Sequence, residues 1–365
     1  MTGRGPCVKF SIITPSFNQL DWLRLCIASV RDQVEAPSAG RSEGAAPQSP
    51  LPYPKSVSPS GPSPLAVEHI IQDAGTPGIE EFAREVGAAF HRDGVLVFAS
   101  TGERRLEIED RIESHPKSKI QNPKLPYRLT IHCERDGGMY DAVNKGFEKA
   151  TGDLMAYLNC DEQYLPGALA SVGERFASDP NLEMVFADAV VVEKDGAFLC
   201  FRKAQVPFRD QLWFRMPVLT CATFLRRSVF EEKQVRLDET KKVLGDVIWI
   251  MRAQERCIRM GVHRQFTSAF TETDANLGVG GAADREFLEL RERMPAHVRR
   301  GIKLYELYHK ARSLLSGSRH AAPFTYEIYT DFDLSARKSI FVPHPTAVWK
   351  GRTGVDQAAL ARVEK

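Results

Sequence analysis

Four groups of polar residues in the first half of the chain stand where chemistry could be done: Pro15-Ser16-Phe17-Asn18, Asp73, Asp136-Gly137-Gly138 and Asn159-Cys160-Asp161. Each follows a short apolar run that reads as a β-strand. In an open α/β sheet, ligands bind in the crevice beyond the carboxyl ends of the strands. Carboxylates, amides and glycines recurring at that place therefore point to a ligand site. Polar loops follow strands in any protein, and the turn chemistry of Asp, Asn and Gly accounts for part of the pattern without a ligand.

The elements that must position these groups follow from the hydrophobic period. Residues 8–14 are β-branched-rich and read as a buried strand ending at Pro15. A helix is expected over 19–33, with Leu20, Leu23, Ile27 and Val30 on one face. Strands are expected at 67–72, 95–98, 129–133, 154–158 and 183–192, and helices at 79–90, 140–150 and 165–177. The Asp195-Gly196 step signals a hairpin into 197–201. Strands alternating with helices imply βαβ units, hence an α/β, Rossmann-like, mostly parallel sheet flanked by helices. Residues 36–64 are dense in Pro, Ser and Gly and bury too little apolar surface to offset their ordering entropy, so they read as a disordered insertion. The charged stretch 101–124 reads as a second surface insertion. Charged helices replace the alternation beyond Thr273, which divides the chain into an α/β domain over 1–275 and a helical C-terminal extension over 276–365.

Composition narrows the function. The chain has 365 residues, enough for one large α/β core with an appendage, and a formal net charge of +2. That charge argues against broad nucleic-acid binding, which needs a concentrated basic field. The seven cysteines are scattered without a CxxC pair, so neither a zinc site nor a disulfide framework is indicated, and a reducing cytoplasm suits them. No signal-peptide pattern precedes Val8, and no apolar stretch is long enough to span a bilayer. The expectation is a cytoplasmic chain, soluble or peripheral on the inner face of the membrane.

Three runs carry a specific likeness: Asp136-Gly-Gly-Met-Tyr-Asp-Ala-Val-Asn-Lys-Gly146, Ala150-Thr-Gly-Asp153 and Tyr157-Leu-Asn-Cys-Asp-Glu162. Together with Ile13-Thr-Pro-Ser-Phe-Asn18, Ile71-Gln-Asp-Ala-Gly75, Ala222-Thr-Phe-Leu-Arg-Arg-Ser228 and Gly245-Asp246, they resemble the family 2 glycosyltransferases in content and order. The resemblance spans most of residues 8–252. It implies a GT-A fold for the 1–275 domain, a nucleotide-sugar donor, a divalent cation (Mg²⁺ or Mn²⁺) and inversion at the anomeric carbon. The members it most resembles build bacterial exopolysaccharide and other surface glycans, with a glycan or a lipid-linked saccharide as acceptor.

The resemblance also assigns roles. Asp161 closes an Asp-x-Asp-like motif and is the implied metal ligand, with Asn159 where the first acid would stand. In an extended segment Asn159 and Asp161 would face one way and Cys160 and Glu162 the other. Pro15, Ser16, Asn18 and Asp73 would wall the nucleotide, although Asn18 also suits a helix N-cap and Asp73 an Asx-turn. Asp136, Asp141, Asn144 and Asn159 would contact the donor; on residue type alone Asp141 and Asn144 read as a solvated helix face. Asp246, at the start of an apolar helical stretch, is the implied catalytic base, where capping is the competing reading. Relatives commonly carry Glu-Asp at that point; this chain carries Gly245-Asp246.

Three further features have bland readings that compete. Arg226 and Arg227 suit a phosphate or an acidic glycan, and equally a solvated pair. The stretch 278–283 fits GxGxxA but follows no convincing strand, so a glycine turn before a helix is the better reading. A helix over 296–315 carries Arg299, Arg300, Lys303, Lys310 and Arg312 beside Val298, Ile302, Tyr305 and Tyr308. It suits peripheral contact with an anionic membrane, or packs its apolar side on the catalytic domain. Two rival functions stand beside transfer: a catalytically silent sugar-nucleotide or glycan-binding module, for which Asn159 speaks, and a nucleotidyltransferase. The latter should carry a glycine- and basic-rich loop where Pro15-Ser16-Phe17-Asn18 stands.

Overall fold

The structure is a computed structural model describing residues 8–34, 65–100, 126–273, 281–332, 334 and 336–349. The insertions expected at 36–64 and 101–124, and the first half of the glycine stretch 278–283, lie outside these residues.

Eleven strands form one sheet among the described residues. In chain order they are β1 Val8–Ser16, β2 Leu65–Asp73, β3 Ala89–Arg92, β4 Val95–Phe98, β5 Tyr127–Cys133, β6 Leu154–Tyr157, β7 Glu162–Tyr164, β8 Met184–Val192, β9 Phe198–Arg202, β10 Thr223–Arg226 and β11 Met260–Thr271. Across the sheet the order is β4-β3-β5-β2-β1-β6-β10-β8-β11-β7, with β9 paired along β8. The long ladders, β1 with β2, β2 with β5 and β8 with β11, are parallel, as the βαβ pattern requires. The antiparallel pairings, such as β10 between β6 and β8, are short. Register sets the site: Ser16 lies beside Asp73 and Asp73 beside Cys133, so β1, β2 and β5 end level and their loops open on one edge.

Two glycines of the sequence motifs are explained by packing. Helix Met139–Lys149 lies so close on β1 that a Cβ on Gly146 would fall 2.4 Å from Ile13 Cγ2. A Cβ on Gly152 would fall 2.6 Å from the Ser11 amide nitrogen. Elsewhere the periodic reading overshot. The helix expected to run to residue 90 ends at Glu85, because Gly87 takes a left-handed conformation (φ 71°) and Ala89–Arg92 joins the sheet. The helix expected at 165 begins at Ala168, since Glu162–Tyr164 is spent pairing with β11.

The extension departs from an all-helical reading. Helices Gly281–Arg293 and Ala296–Leu315 are followed by a hairpin, β12 Phe324–Ile328 and β13 Lys338–Val342. Phe324, Tyr326 and Ile328 alternate with polar residues and bury against Leu165, Val190, Val192 and Phe201 of the main domain. Arg337 clamps the same region, its guanidinium bidentate on Asp32 at 2.7 and 2.8 Å. No helix among the described residues is long and apolar enough to cross a membrane.

Candidate functional site

The loops after β1 and β2 are laced together. Asp73 is fully buried and accepts the Gly75 and Thr76 amides at 2.9 and 2.7 Å on one carboxylate oxygen. Its other oxygen takes the Thr76 hydroxyl at 2.7 Å, and Thr76 Oγ1 in turn accepts the Asn18 amide at 2.8 Å. Asn18 is left-handed (φ 57°) and does not cap the helix Leu20–Arg31; Gln19 holds that position. The Asx-turn reading of Asp73 is thus what the geometry displays, with Asn18 exposed on the wall it supports. Phe17, passed over in the sequence, is 59% exposed on that wall, where an aromatic face suits a nucleobase.

Beyond β6 the chain turns. The Glu162 amide donates to the Asn159 carbonyl at 3.1 Å, and Glu162 Oε2 accepts the Asn159 amide at 2.8 Å. The extended geometry expected for 159–162 is therefore wrong, and Glu162 folds back into the site instead of facing away. Burial, with the Asp161 charge second, pushes its carboxyl up to about 8, and burial pushes Asp161 up to about 6. Cys160, buried beneath, donates to the Pro15 carbonyl at 3.2 Å. Three buried oxygens here have no hydrogen-bond partner: Ser16 Oγ, Asn159 Oδ1 and Glu162 Oε1. Buried polar atoms are rarely left so, and all three are hard oxygen donors, as are the carboxylates, which suits Mg²⁺ or Mn²⁺. Among the described residues no three His, Cys, Asp or Glu side chains cluster to cage a metal alone. The residues fit a cation shared with a ligand's phosphates.

A raised carboxyl has a consequence for stability. Glu162 ionises from about 4.5 upward when unfolded but stays protonated to about 8 when folded, so stability falls as pH rises through that window. Glu162→Gln is expected to raise the unfolding temperature, by more at pH about 8 than at pH about 5. Thermal scans at both values check this; an equal shift at the two would show Glu162 ionised throughout.

Asp246 sits in the first turn of helix Gly245–Glu255, whose N-cap is Leu244, so it does not take the capping position. Its Oδ1 accepts the Val247 amide at 2.8 Å and lies 3.4 Å from the Tyr140 hydroxyl, which donates more closely to the Val243 carbonyl at 2.7 Å. Burial pushes its carboxyl up to about 6. Gly245 is there because a Cβ would fall 2.4 Å from the Tyr140 ring. The amides ahead of the helix are served from the extension. Glu286 accepts those of Lys242, Val243 and Leu244 at 2.7, 3.0 and 2.9 Å. Sequence reasoning missed Glu286, whose partners lie more than forty residues away. Glu286→Ala should cost on the order of 3 kcal/mol of stability. Unfolding curves check this, and a wild-type midpoint would discount the contact.

The remaining candidates divide. Asp136 Oδ1 accepts the Gly138 amide at 3.0 Å, and burial raises its carboxyl. Asp141 holds the Gly137 amide at 2.7 Å and pairs with Lys145 at 3.0 Å. Asn144 is buried, not solvated, and both ends of its amide go to Leu237. Its nitrogen also donates to Glu239 at 2.7 Å, so it clamps that segment. Arg226 is no solvated cation either, since it donates to the Leu182 and Phe176 carbonyls. Charge coupling nonetheless runs unbroken from Asp136 to Asp73, from both Asp73 and Asp161 to Cys160, and from Asp161 and Asp246 to Glu162. These acids lie within electrostatic reach of one another.

Residues 118–232 match the family model described as Glycosyl transferase family 2. That segment holds Asp136, Asp141, Asn144, Asn159 and Asp161; Pro15, Ser16, Asn18, Asp73 and Asp246 lie outside it. Over 153 residues the chain is 31% identical to a PGL/p-HBAD biosynthesis glycosyltransferase of Mycobacterium bovis, and equally to one of Mycobacterium tuberculosis. The match covers 42% of this chain and 54% of each relative, so the chain spans about half the length of the curated relatives it matches. Among solved structures, S. aureus TarS 1–349 in complex with UDP-GlcNAc is 12% identical, covering 78% of this chain and 64% of that one, at a TM-score of 0.43. The mannosyltransferase PcManGT from Pyrobaculum calidifontis, in complex with GDP-Man and Mn2+, is 12% identical, covering 76% and 61%, at 0.40. Overlap that loose carries no argument about ligands. The sequence likeness is to the family 2 glycosyltransferases, and the residues matched to that family's model, 118–232, run through the loops that follow β5 and β6.

Proposed function

We propose that the chain moves a sugar from a nucleoside-diphosphate donor to a hydroxyl of a glycan or lipid-linked acceptor, with inversion at the anomeric carbon. The observation that carries the reading is a buried Glu162 carboxyl that feels the Asp161 and Asp246 charges, beside buried oxygens without partners. Asp246 takes the proton of the acceptor hydroxyl on Oδ2, the oxygen its own helix leaves free. The acceptor oxygen then bonds to the anomeric carbon from the face opposite the diphosphate, which departs with the electron pair of the broken C–O bond. Asp161 and the Asn159 amide oxygen would hold a divalent cation that neutralises the leaving diphosphate. Neutral Glu162 fixes the turn that presents both. Pro15, Ser16, Asn18 and Asp73 line the nucleotide side, and Asp136 with Asp141 shapes the glycine loop facing the diphosphate.

The same proposal divides the chain into a catalytic domain over 1–275 and an extension over 276–365 that steadies it. It places the chain in the cytoplasm, in peripheral contact with the membrane. A panel of nucleotide sugars, with and without Mn²⁺, reading released nucleoside diphosphate, tests the chemistry. Asn159 in place of an acid favours a second reading, a module that holds the sugar nucleotide without turning it over; binding with no release from any donor would select it.

A further inference from the structure

Helix Ala296–Leu315 has two apolar faces, and the main domain uses one. Inward, Val298 is fully buried, Tyr305 stacks on Phe208 at 6.0 Å between ring centroids and bonds Asp210 at 3.1 Å, and Ser313 meets Gln205. Outward lie Leu304 (71% exposed), Leu307 (62%), Leu314 (57%) and Leu315 (91%); Tyr308 stands between the two faces, edge-on to Phe208 at 5.1 Å. Residues 304, 307, 311, 314 and 315 recur at helical spacing, so these side chains form one continuous ridge. Large apolar side chains gathered on one exposed strip mark an interaction surface.

The charge beside the ridge says what kind. Lys303 and Lys310, seven residues apart, border it on one side, and Arg300 lies within it. The helix carries five Lys or Arg and a single acid, Glu306. Exposed Arg319 follows its C-terminal end. Protein interfaces deplete lysine at their centres, whereas a leucine ridge edged with lysines matches the boundary between acyl chains and anionic headgroups, where long cationic side chains reach outward from a sunken apolar body.

We propose that this outward face docks the protein on an anionic bilayer, the leucines entering the headgroup region and Lys303 and Lys310 meeting lipid phosphates. The inference deepens the membrane contact proposed above but is independent of the transfer chemistry, since no ridge residue is among the acids of the site. It would hold the enzyme on the surface where a lipid-linked acceptor is presented.

Flotation of the full chain with vesicles of phosphatidylcholine alone, or mixed with an equal part of phosphatidylglycerol, tests it. Binding is expected only to the mixed vesicles. Lys303→Glu with Lys310→Glu should weaken it at least about thirtyfold, and Leu304→Ser with Leu307→Ser should abolish it. All these side chains are exposed, so both variants should fold and release nucleoside diphosphate in vesicle-free solution like the parent chain. Equal flotation of parent and variants would overturn the proposal. So would a dimer, seen by light scattering, that the leucine variant converts to monomer, because the ridge would then be covered by a second copy. Loss of nucleoside diphosphate release with flotation intact would count against the chemistry alone.

Discussion

Asp246→Asn is expected to lower turnover by on the order of 10²–10⁴-fold while nucleoside diphosphate affinity stays within about twofold. The substitution keeps the shape and the acceptor oxygen that receives the Val247 amide, so the helix start survives. It removes only the capacity to take a proton. Because burial holds this carboxyl near 6, it must ionise before it can act as a base, and turnover should fall as pH drops through about 6. The Asn variant should lose that acid limb along with its rate. It should also unfold at a temperature no lower than the parent at neutral pH, since a carboxylate that resists ionisation has been replaced by a neutral amide. A variant with full activity and the parent's pH profile would remove Asp246 from the role.

Asp161→Ala is expected to weaken Mn²⁺-dependent binding of a nucleoside diphosphate by roughly ten- to a hundredfold, with little change in metal-free binding. Calorimetry with and without the cation separates the two. The size follows from the donor set: Asn159 is neutral, and Glu162 holds its proton to about 8, so Asp161 supplies most of the negative charge at neutral pH. Unchanged affinity in the presence of Mn²⁺ would count decisively against the assignment.

What could be read in the sequence and what could not divides along physical lines. Elements whose information is local were legible. The 3.6-residue period located Leu20–Arg31, Met139–Lys149 and Ala296–Leu315 to within about two residues, and β-branched runs located β1, β2, β5 and β8. The place of the acidic groups, at the ends of neighbouring strands, was legible for the same reason. Strands β7 and β10 were not, because three or four residues paired to a distant partner carry no period of their own. The turn at 159–162 was hidden because it is closed by Glu162's own carboxylate, which type and spacing do not announce. Asn144 looked like a polar surface residue and proved buried, since its partner at Leu237 is ninety-three residues away. The hairpin at 324–342 did alternate apolar and polar residues, but lay where charged helices had set the expectation. The outer leucines of Ala296–Leu315 share a helix with a second apolar face, and only contacts with the main domain, such as Tyr305 on Phe208, tell the two apart.

The Asp32–Arg337 clamp joins positions 305 residues apart in sequence. A chain emerging from the ribosome with its N-terminus first makes the sheet strands early but cannot fasten that pair until residue 337 is free, and cannot seat Glu286 under the Asp246 loop until shortly before. Closing contacts of such long range is slow. The nascent protein should therefore lack both the Glu286 contact and the hairpin clamp until those residues have emerged.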